Sequence, residues 1–435
     1  MNDHYGFINL GNVRYEIRIV PSESYFKNDV DRFVLEHHLN RKLSDDETVY
    51  HIDADLSNNH PHNLIPINKN TDYSQFNHFL IKLLVQYTSE ENVYELASYL
   101  SSIQDKLGPD KCMLLERVSK TIPLFDNHAH MGGSIEPEMV AALLAKSDPG
   151  VRVGAVRKHM TYQGKRPDNF RAFVKKFSLL EKVQWTEQNI YDCVHQIVSK
   201  IEMDGVDGSE IRFSIGKYRP YLNIPDVDII KMIKRAFDDA SEYFNVRINL
   251  VLAFRHNEPD RYLRVAYELD KYSDCVVGID VSGDERHVDM DKFKPIFDIW
   301  GEHGKTLMIH AGEQPGFSRN VIDAIEKLHV TRIGHGIYAD RYALDLAKDR
   351  NICFDLAISS NYYTGVVKHR HTHPAIRMME NGNVITVGTD DASVFCTSLR
   401  KEYALVREYW GLSDSEVNKL KINAINYSSF DICYE

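Results

Sequence analysis

The stretch Thr306–Gly336, TLMIHAGEQPGFSRNVIDAIEKLHVTRIGHG, decides the fold. It opens on a short apolar run, TLMIHAGE (306–313), and closes on another, TRIGHG (331–336), with helix-length sequence between them. Two strands joined by that length of chain are parallel neighbours, because a hairpin would need only a few residues. Both runs end in residues that carry chemistry: His310 and Glu313 in the first, His335 in the second.

The same texture extends in both directions. Further strand candidates are IPLFDNHAH (122–130), SEIRFSI (209–215), VRINLVLAF (246–254), CVVGIDVSG (275–283), NICFDLAIS (351–359) and NVITVGTDD (383–391). Amphipathic stretches such as IIKMIKRAFDDASEYF (229–244), RYLRVAYELDKY (261–272) and ALDLAKD (343–349) lie between them. Eight strands, each separated by helix-length sequence, imply a parallel α/β sheet, and eight is the number that closes a (β/α)8 TIM barrel. An open doubly wound sheet is the alternative. The barrel is expected over residues 121–435. Upstream, residues 80–120 contain FLIKLLVQY and VYELASYLSSI, with apolar spacings of three and four, and predict a helical connector. Residues 1–79 form a separate module, rich in His and Asn.

Composition narrows the function. The chain has 435 residues, 43% hydrophobic and 26% charged, a globular mix whose length fits one barrel and a smaller module. It has no run of 18 or more apolar residues, so no membrane partner is expected. The N-terminus, MNDHYGFINLGNVRYEIRIV, lacks the basic-then-apolar pattern of a signal peptide. Six scattered cysteines without a CxxC pair read as reduced thiols of a cytoplasmic protein and argue against a cysteine zinc site. A net charge of −11 makes nucleic acid an unfavourable partner, yet leaves room for a small anionic substrate.

A barrel enzyme gathers its catalytic groups at the C-terminal ends of different strands. Here the first strand ends in His128 and His130, the fifth in His310 and Glu313, the sixth in His335 and the eighth in Asp390 and Asp391. Residues two apart on a strand share a face, so His128 and His130 both aim at the mouth. With His310 and Asp390 they make an N/O set suited to one Zn2+ with an open position for water, whose pKa zinc lowers towards ~7. Singly, a strand-end His is usually structural and an Asp pair before a helix is usually a cap. Four strands ending this way together are the signal.

The segments DNHAHMGGSIEP (126–137), GIDVSGDE (278–285), MIHAGE (308–313), RIGHG (332–336), SSN (359–361), HPAIRMMENG (373–382) and VGTDDASVF (387–395) resemble, in this order, the adenosine/AMP deaminase family of metal-dependent hydrolases. The resemblance runs from roughly residue 121 to 426. It implies one zinc per barrel on His128, His130, His310 and Asp390, and hydrolytic release of the 6-amino group of an adenine nucleoside or nucleotide. Glu313 would protonate purine N1, as only a carboxyl with a raised pKa can. His335 and Asp390 would orient the attacking hydroxide. Asp391 would contact N7, the backbone of Gly283 would reach N3, and the Arg255–His256 pair would stand behind the site. The segment DNFRAFVKKFSLLEKV (168–183) resembles the family's lid, with Phe170, Phe173 and Phe177 over the base; plain core packing explains those rings equally well.

One position departs from the family's pattern. Members acting on adenosine commonly carry an acid two residues after the HxH pair, against the ribose 5′-hydroxyl; here Gly132 stands there. Its absence removes a charge that would repel a 5′-phosphate, so a nucleoside mono- or triphosphate becomes a candidate substrate beside adenosine. Lys217, Arg219 or the lid residues Arg171, Lys175 and Lys176 would supply cations, unless they form a solvated charged face. The histidines of the HTH segment, His369, His371 and His373, are expected at the surface or capping a helix.

The N-terminal stretch LEHHLNRKLSDDETVYHIDADLSNNHPHNLIPI (35–67) resembles an HNH-type ββα-metal endonuclease module, with His51 at the base position and Asn63 at a metal position. Tyr50 stands where a metal ligand belongs and Asp72 where a later His often occurs. Residues 1–80 hold seven Lys/Arg against twelve Asp/Glu, a net of −5 that is unfavourable for gripping a phosphate backbone. A degenerate module reused for assembly, such as homo-oligomer contact, or for gating is therefore expected over an active nuclease. The alternatives to the deaminase reading are an HNH-type nuclease or nucleic-acid-associated protein with an accessory barrel, and a different amidohydrolase. The last often needs a bridging carboxylated Lys, for which no strand end offers a match.

Overall fold

The computed structural model describes residues 4–10, 13–20, 47–51, 64–68, 114–163 and 167–431, with side chains placed from Ile122 onward. The chain divides into two compact units, Met1–Pro123 and Leu124–Glu435. In the first, β1 (His4–Leu10) and β2 (Val13–Val20) pair antiparallel, as do β3 (Glu47–His51) and β4 (Leu64–Asn68), with His51 opposite Leu64. A fifth strand, β5 (Leu114–Thr121), pairs antiparallel with β2. This corrects the expected helical connector at its C-terminal end: a ready partner in β2 takes up the backbone groups of a segment carrying the β-branched Val118 and Thr121. The rest of the connector, Asn63 and the side chain of His51 lie outside the described residues, and with them the HNH-like reading.

The second unit carries all eight expected barrel strands: β6 (Phe125–His130), β7 (Gly208–Phe213), β8 (Arg247–Arg255), β9 (Gly278–Ser282), β10 (Thr306–Ala311), β11 (Arg332–His335), β12 (Cys353–Leu356) and β13 (Val384–Val387). Neighbours in sequence are neighbours in the sheet, and every pair is parallel. Helices such as Glu187–Met203, Asp226–Phe244, Met290–Glu302 and Ser318–Leu328 return the chain between strands. The segment RYLRVAYELDKY is less regular than expected. After one α-turn at Asp260–Leu263 it continues as 3₁₀ helix. The Val265 and Ala266 carbonyls there accept from the Tyr272 hydroxyl and the Trp300 indole.

Strand alternation sorts side chains between two interiors. Outward-facing Ile211, Phe213, Leu250, Leu252, Phe254, Ile279, Val281, Ile309, Ile333, Phe354 and Ile385 pack in one apolar core. Inside the ring the alternate positions are charged. Arg212 pairs with Asp280, and its other end lies 3.4 Å from Asp355. Arg332 bonds Glu210, and also Asp355 at 2.7 Å. All five side chains are sealed from solvent. This lower layer is therefore an ion network in place of the branched apolar residues usual in such barrels.

The ring closes in a narrow place. Strands β6 and β13 are joined by a parallel bridge between Ala129 and Asp390: Asp390 N–H donates to the His128 carbonyl at 2.7 Å, and His130 N–H to the Asp390 carbonyl at 2.8 Å. Just below, the Asp126 carboxylate accepts from the Thr389 hydroxyl at 2.6 Å and its N–H at 3.3 Å. Gly388 permits this approach, since a Cβ there would lie 2.7 Å from the His128 Cβ and 3.0 Å from its carbonyl oxygen. Gly388→Ala should therefore cost about 1–3 kcal/mol by overpacking and lower the melting temperature by several degrees. An unchanged melt would show that the seam has room to spare.

Candidate metal and catalytic centre

Four side chains from three strand ends converge. His128 and His130 end β6, His310 sits in β10, and Asp390 follows β13; one ligand atom from each lies within 4.8 Å of all the others. The Nε2 atom of His310 is 3.1 Å from that of His128 and 3.3 Å from that of His130, and Asp390 Oδ1 is 3.7 and 3.4 Å from the same two. Atoms bonded at about 2.0–2.1 Å to one tetrahedral centre stand about 3.3 Å apart, so the set has the dimensions of a zinc site. Burial pushes the His128 and His130 imidazoles well below their usual range, with His310 and Arg212 adding to the effect. They are therefore neutral, as ligands must be. Burial raises the Asp390 carboxyl, and a cation held by the three imidazoles would favour its anion.

The protonated nitrogen of His310 is fixed from behind. Its Nδ1 lies 3.2 Å from Asp280 Oδ1. Burial alone would raise the Asp280 carboxyl, but His310 and Arg212 hold it far below the usual carboxylate range. An ionised Asp280 accepts from Nδ1–H and leaves the Nε2 lone pair for a metal. His256, expected behind the site, meets the carbonyl of His310 through Nε2 at 3.0 Å.

Glu313, His335 and Asp391, the other residues expected around the cluster, lie beside it. Glu313 is buried after β10, and burial, then Asp390, lifts its carboxyl well above the usual range. Glu285 holds the turn that presents it, accepting from the N–H groups of Gly312 at 2.7 Å and Gln314 at 2.6 Å. His335 Nε2 faces both Glu313 Oε1 at 3.7 Å and Asp390 Oδ2 at 3.8 Å. His335 and Asp390 take φ of +65° and +57° respectively, a left-handed backbone that costs non-glycine residues of order 1–3 kcal/mol and is concentrated at functional sites. Asp391 is buried beside Asp390, and burial with that neighbour raises its carboxyl well above the usual range.

The remaining expected contacts sit on the same rim. Gly283 follows β9 with φ +99°, 3.9 Å from the Arg255 Cβ when a Cβ is built on it. Gly132 lies in the short helix Met131–Ser134 directly after His130. A side chain there would meet the Lys217 Nζ, 2.7 Å from its Cβ, so that ammonium stands where the family's acid would be. Burial, then Arg255, pushes Lys217 down to about 8. Phe170 and Phe173 lie in the helix Phe170–Val174; Phe173 stacks on Phe395 with centroids 5.4 Å apart, one turn beyond Asp391, and Phe170 touches Phe173.

Several residues escaped the sequence reading: Asp126, Arg212, Asp280, Glu285, Asn361 and the role of His373. His369 and His371 are exposed as expected. His373 is buried; it accepts the N–H of Ala375 at the start of a helix, as a capping residue would, and also reaches Asn361. Asp126, Asp280, Glu285, Asn361 and His373 all lie inside the segments that carry the resemblance, which was the signal that could have singled them out; Arg212 lies outside them. Asp280→Asn, which keeps shape but weakens the hold on His310, should reduce affinity for added zinc about 10–100-fold in a chelator competition. Wild-type affinity in that variant would remove Asp280 from the site.

A family model described as adenosine deaminase matches residues 123–432. The adenosine deaminase of Clostridium acetobutylicum is 26% identical over 71% of this chain and 93% of its own length. Among solved structures, an adenine deaminase from Arthrobacter aurescens superposes with a TM-score of 0.64 at 22% identity, covering 72% of this chain and 94% of its own. The apo N6-methyl-AMP deaminase of Arabidopsis thaliana gives 0.62 at 21% identity, covering 71% and 92%.

Proposed function

As the chain belongs to the adenosine deaminase family, we propose that this member hydrolyses the 6-amino group from a 5′-phosphorylated adenine nucleoside, with zinc as its metal. The observation that carries the reaction is a buried Glu313, its carboxyl pushed up by burial, facing His335 beside the three-imidazole cluster. Zinc on His128, His130, His310 and Asp390 would make hydroxide available at neutral pH.

The chain's own groups do the rest. An aromatic amine is a poor leaving group, so C6 must first become electrophilic. Glu313, kept protonated by burial, donates to purine N1. His335 steers the incoming oxygen to C6 from between Glu313 and Asp390. The protonated Asp391 donates to N7, and the Gly283 backbone borders N3. Collapse of the tetrahedral carbon breaks the C6–N bond as the proton of the added hydroxyl passes to the departing amine, releasing ammonia and leaving the 6-oxo purine with its proton on N1.

The 5′-phosphate reading rests on Lys217 over Gly132. No hydrogen bond or ion pair to the Lys217 ammonium is found among the described residues, and the site offers it no acid from position 132. An adenosine substrate would leave that half-buried cation with the Tyr218 ring, 5.6 Å away, and no hydrogen-bonded anion, whereas a phosphate would pair with it directly. The Arabidopsis relative of this fold is named for a nucleotide substrate, and the Arthrobacter one for a free base.

Glu313→Gln should keep its metal and lose about two to four orders of magnitude in turnover. In the unaltered protein kcat should fall as pH rises through the raised Glu313 pKa, because the acid form is the active one. Near-normal turnover in Glu313→Gln would exclude it as the proton donor. In a panel of adenosine, AMP, dAMP, ATP and dATP, phosphorylated substrates should be preferred. Lys217→Met should raise KM for those at least about tenfold, with little change for adenosine. Their KM should also climb above pH 8, where Lys217 loses its charge. Strong preference for adenosine would refute the phosphate assignment while leaving the deaminase chemistry intact.

A further inference from the structure

A chain of hydrogen bonds behind His335 takes its direction from a backbone donor at its far end. It starts at the N–H of Ala375, which can only donate, and does so to His373 Nδ1 at 3.1 Å. An imidazole that accepts at Nδ1 carries its proton on Nε2 when neutral. His373 is neutral because burial pushes it down to about 3. Its Nε2–H therefore donates to the atom it faces, Asn361 Oδ1, 3.2 Å away. That contact fixes which end of the Asn361 amide is which, an assignment otherwise ambiguous in amides. The Asn361 NH₂ is then turned towards His335 Nδ1 at 3.0 Å and donates to it. His335 Nδ1 is an acceptor, so the His335 proton sits on Nε2.

The packing leaves little freedom to reverse this order. His373 and Asn361 are buried, and the His373 ring lies against Trp410 with centroids 5.0 Å apart. Asn361 is further tied at its backbone, donating its N–H to the Ala357 carbonyl at 2.9 Å and accepting the Val367 N–H at 2.8 Å.

We propose that His373 and Asn361 are positioning residues that lock His335 in the Nε2–H form, so that it donates a hydrogen bond into the space between Glu313 and Asp390 and does not accept a proton there. The geometry of that space supports the assignment. Its walls are Glu313 Oε1 at 3.7 Å and Asp390 Oδ2 at 3.8 Å from the same Nε2, both too far for a strong direct bond and both on the side where an attacking oxygen would enter. An Nε2 lone pair there would repel that oxygen. A proton stabilises the negative charge it carries, as donors aimed at a developing anion do. The catalytic consequence rests on the deaminase reading above; the tautomer does not.

Two measurements separate these levels. Neutron diffraction from deuterated crystals of the full chain should show deuterium on Nε2 of both His335 and His373 and none on their Nδ1 atoms. Deuterium on Nδ1 of His335 would overturn the proposal whatever the enzyme's substrate. In kinetics, Asn361→Asp replaces the donor to Nδ1 by an acceptor and should draw the His335 proton to the wrong nitrogen. We expect kcat to fall about 10–100-fold with KM changed less than about threefold. His373→Phe frees the Asn361 amide to rotate and should lower kcat about tenfold, while His373→Gln, whose NH₂ again donates to Asn361 Oδ1, should recover most of that loss. Melting curves and metal content are measured on each variant, so that a folding or loading defect is not read as loss of turnover. Equal kcat in His373→Phe and His373→Gln, or unchanged kcat in Asn361→Asp, would overturn the relay. Failure of every substrate on the unaltered protein would instead count against the deaminase reading, and the neutron result would still stand or fall by itself.

Discussion

The rest of the barrel depends on the seam between its first and last strands. Seven strand pairs make extended ladders, but the eighth is reduced to the two hydrogen bonds around Ala129 and Asp390. Those bonds use the backbone of His128, His130 and Asp390, the same residues whose side chains converge. Closing the ring and assembling the centre thus depend on the same residues. The left-handed backbone at Asp390 is part of that arrangement: the chain must turn sharply after Thr389 to present both its peptide to β6 and its carboxylate to the imidazoles. Asp126 and Gly388 support the turn from below, one by bonding across the seam and the other by leaving space.

The ion network under the centre complements it electrically. Two guanidiniums, Arg212 and Arg332, face three carboxylates, Glu210, Asp280 and Asp355, which leaves one negative charge inside the ring. Ionised Asp390 adds a second. Burial keeps the His128 and His130 imidazoles neutral, so the excess of carboxylates beneath the cluster favours a cation there. Networks of this kind seldom add stability over an apolar core, because stripping water from each ion costs several kcal/mol. Their value here is placement. Arg212 holds Asp280, Asp280 holds His310, and the imidazole cannot rotate without breaking its buried hydrogen bond to Asp280.

Much of this was legible in the sequence because barrel chemistry is written at strand ends. The eight strands, the four converging residues, Glu313 and His335 could all be picked out by that rule. The layer beneath them could not. Alternation of Glu210, Ile211, Arg212 and Phe213 ordinarily marks a strand with one face in water, and only ring closure turns that charged face inward. Arg212 meets partners 68 and 143 residues away, a pairing that no local pattern reveals. His373 looked like a loop histidine beside two others, and its cap to Ala375 was within reach of sequence reasoning. Its second bond, to Asn361, depends on how two loops fold against each other. At the other end of the chain, apolar spacing suggested helix up to residue 120, but pairing with β2 outweighed it from Leu114.

The four converging side chains are not equally enclosed. His128, His310 and Asp390 are sealed almost completely, while about a fifth of the His130 side chain remains open to solvent, on the side that leads into the helix carrying Gly132. Solvent therefore reaches the cluster at the His130 edge. On the proposed function, metal and substrate would meet at that edge. A nucleotide seated there would act as a cork, slowing escape of the ion for as long as it stays.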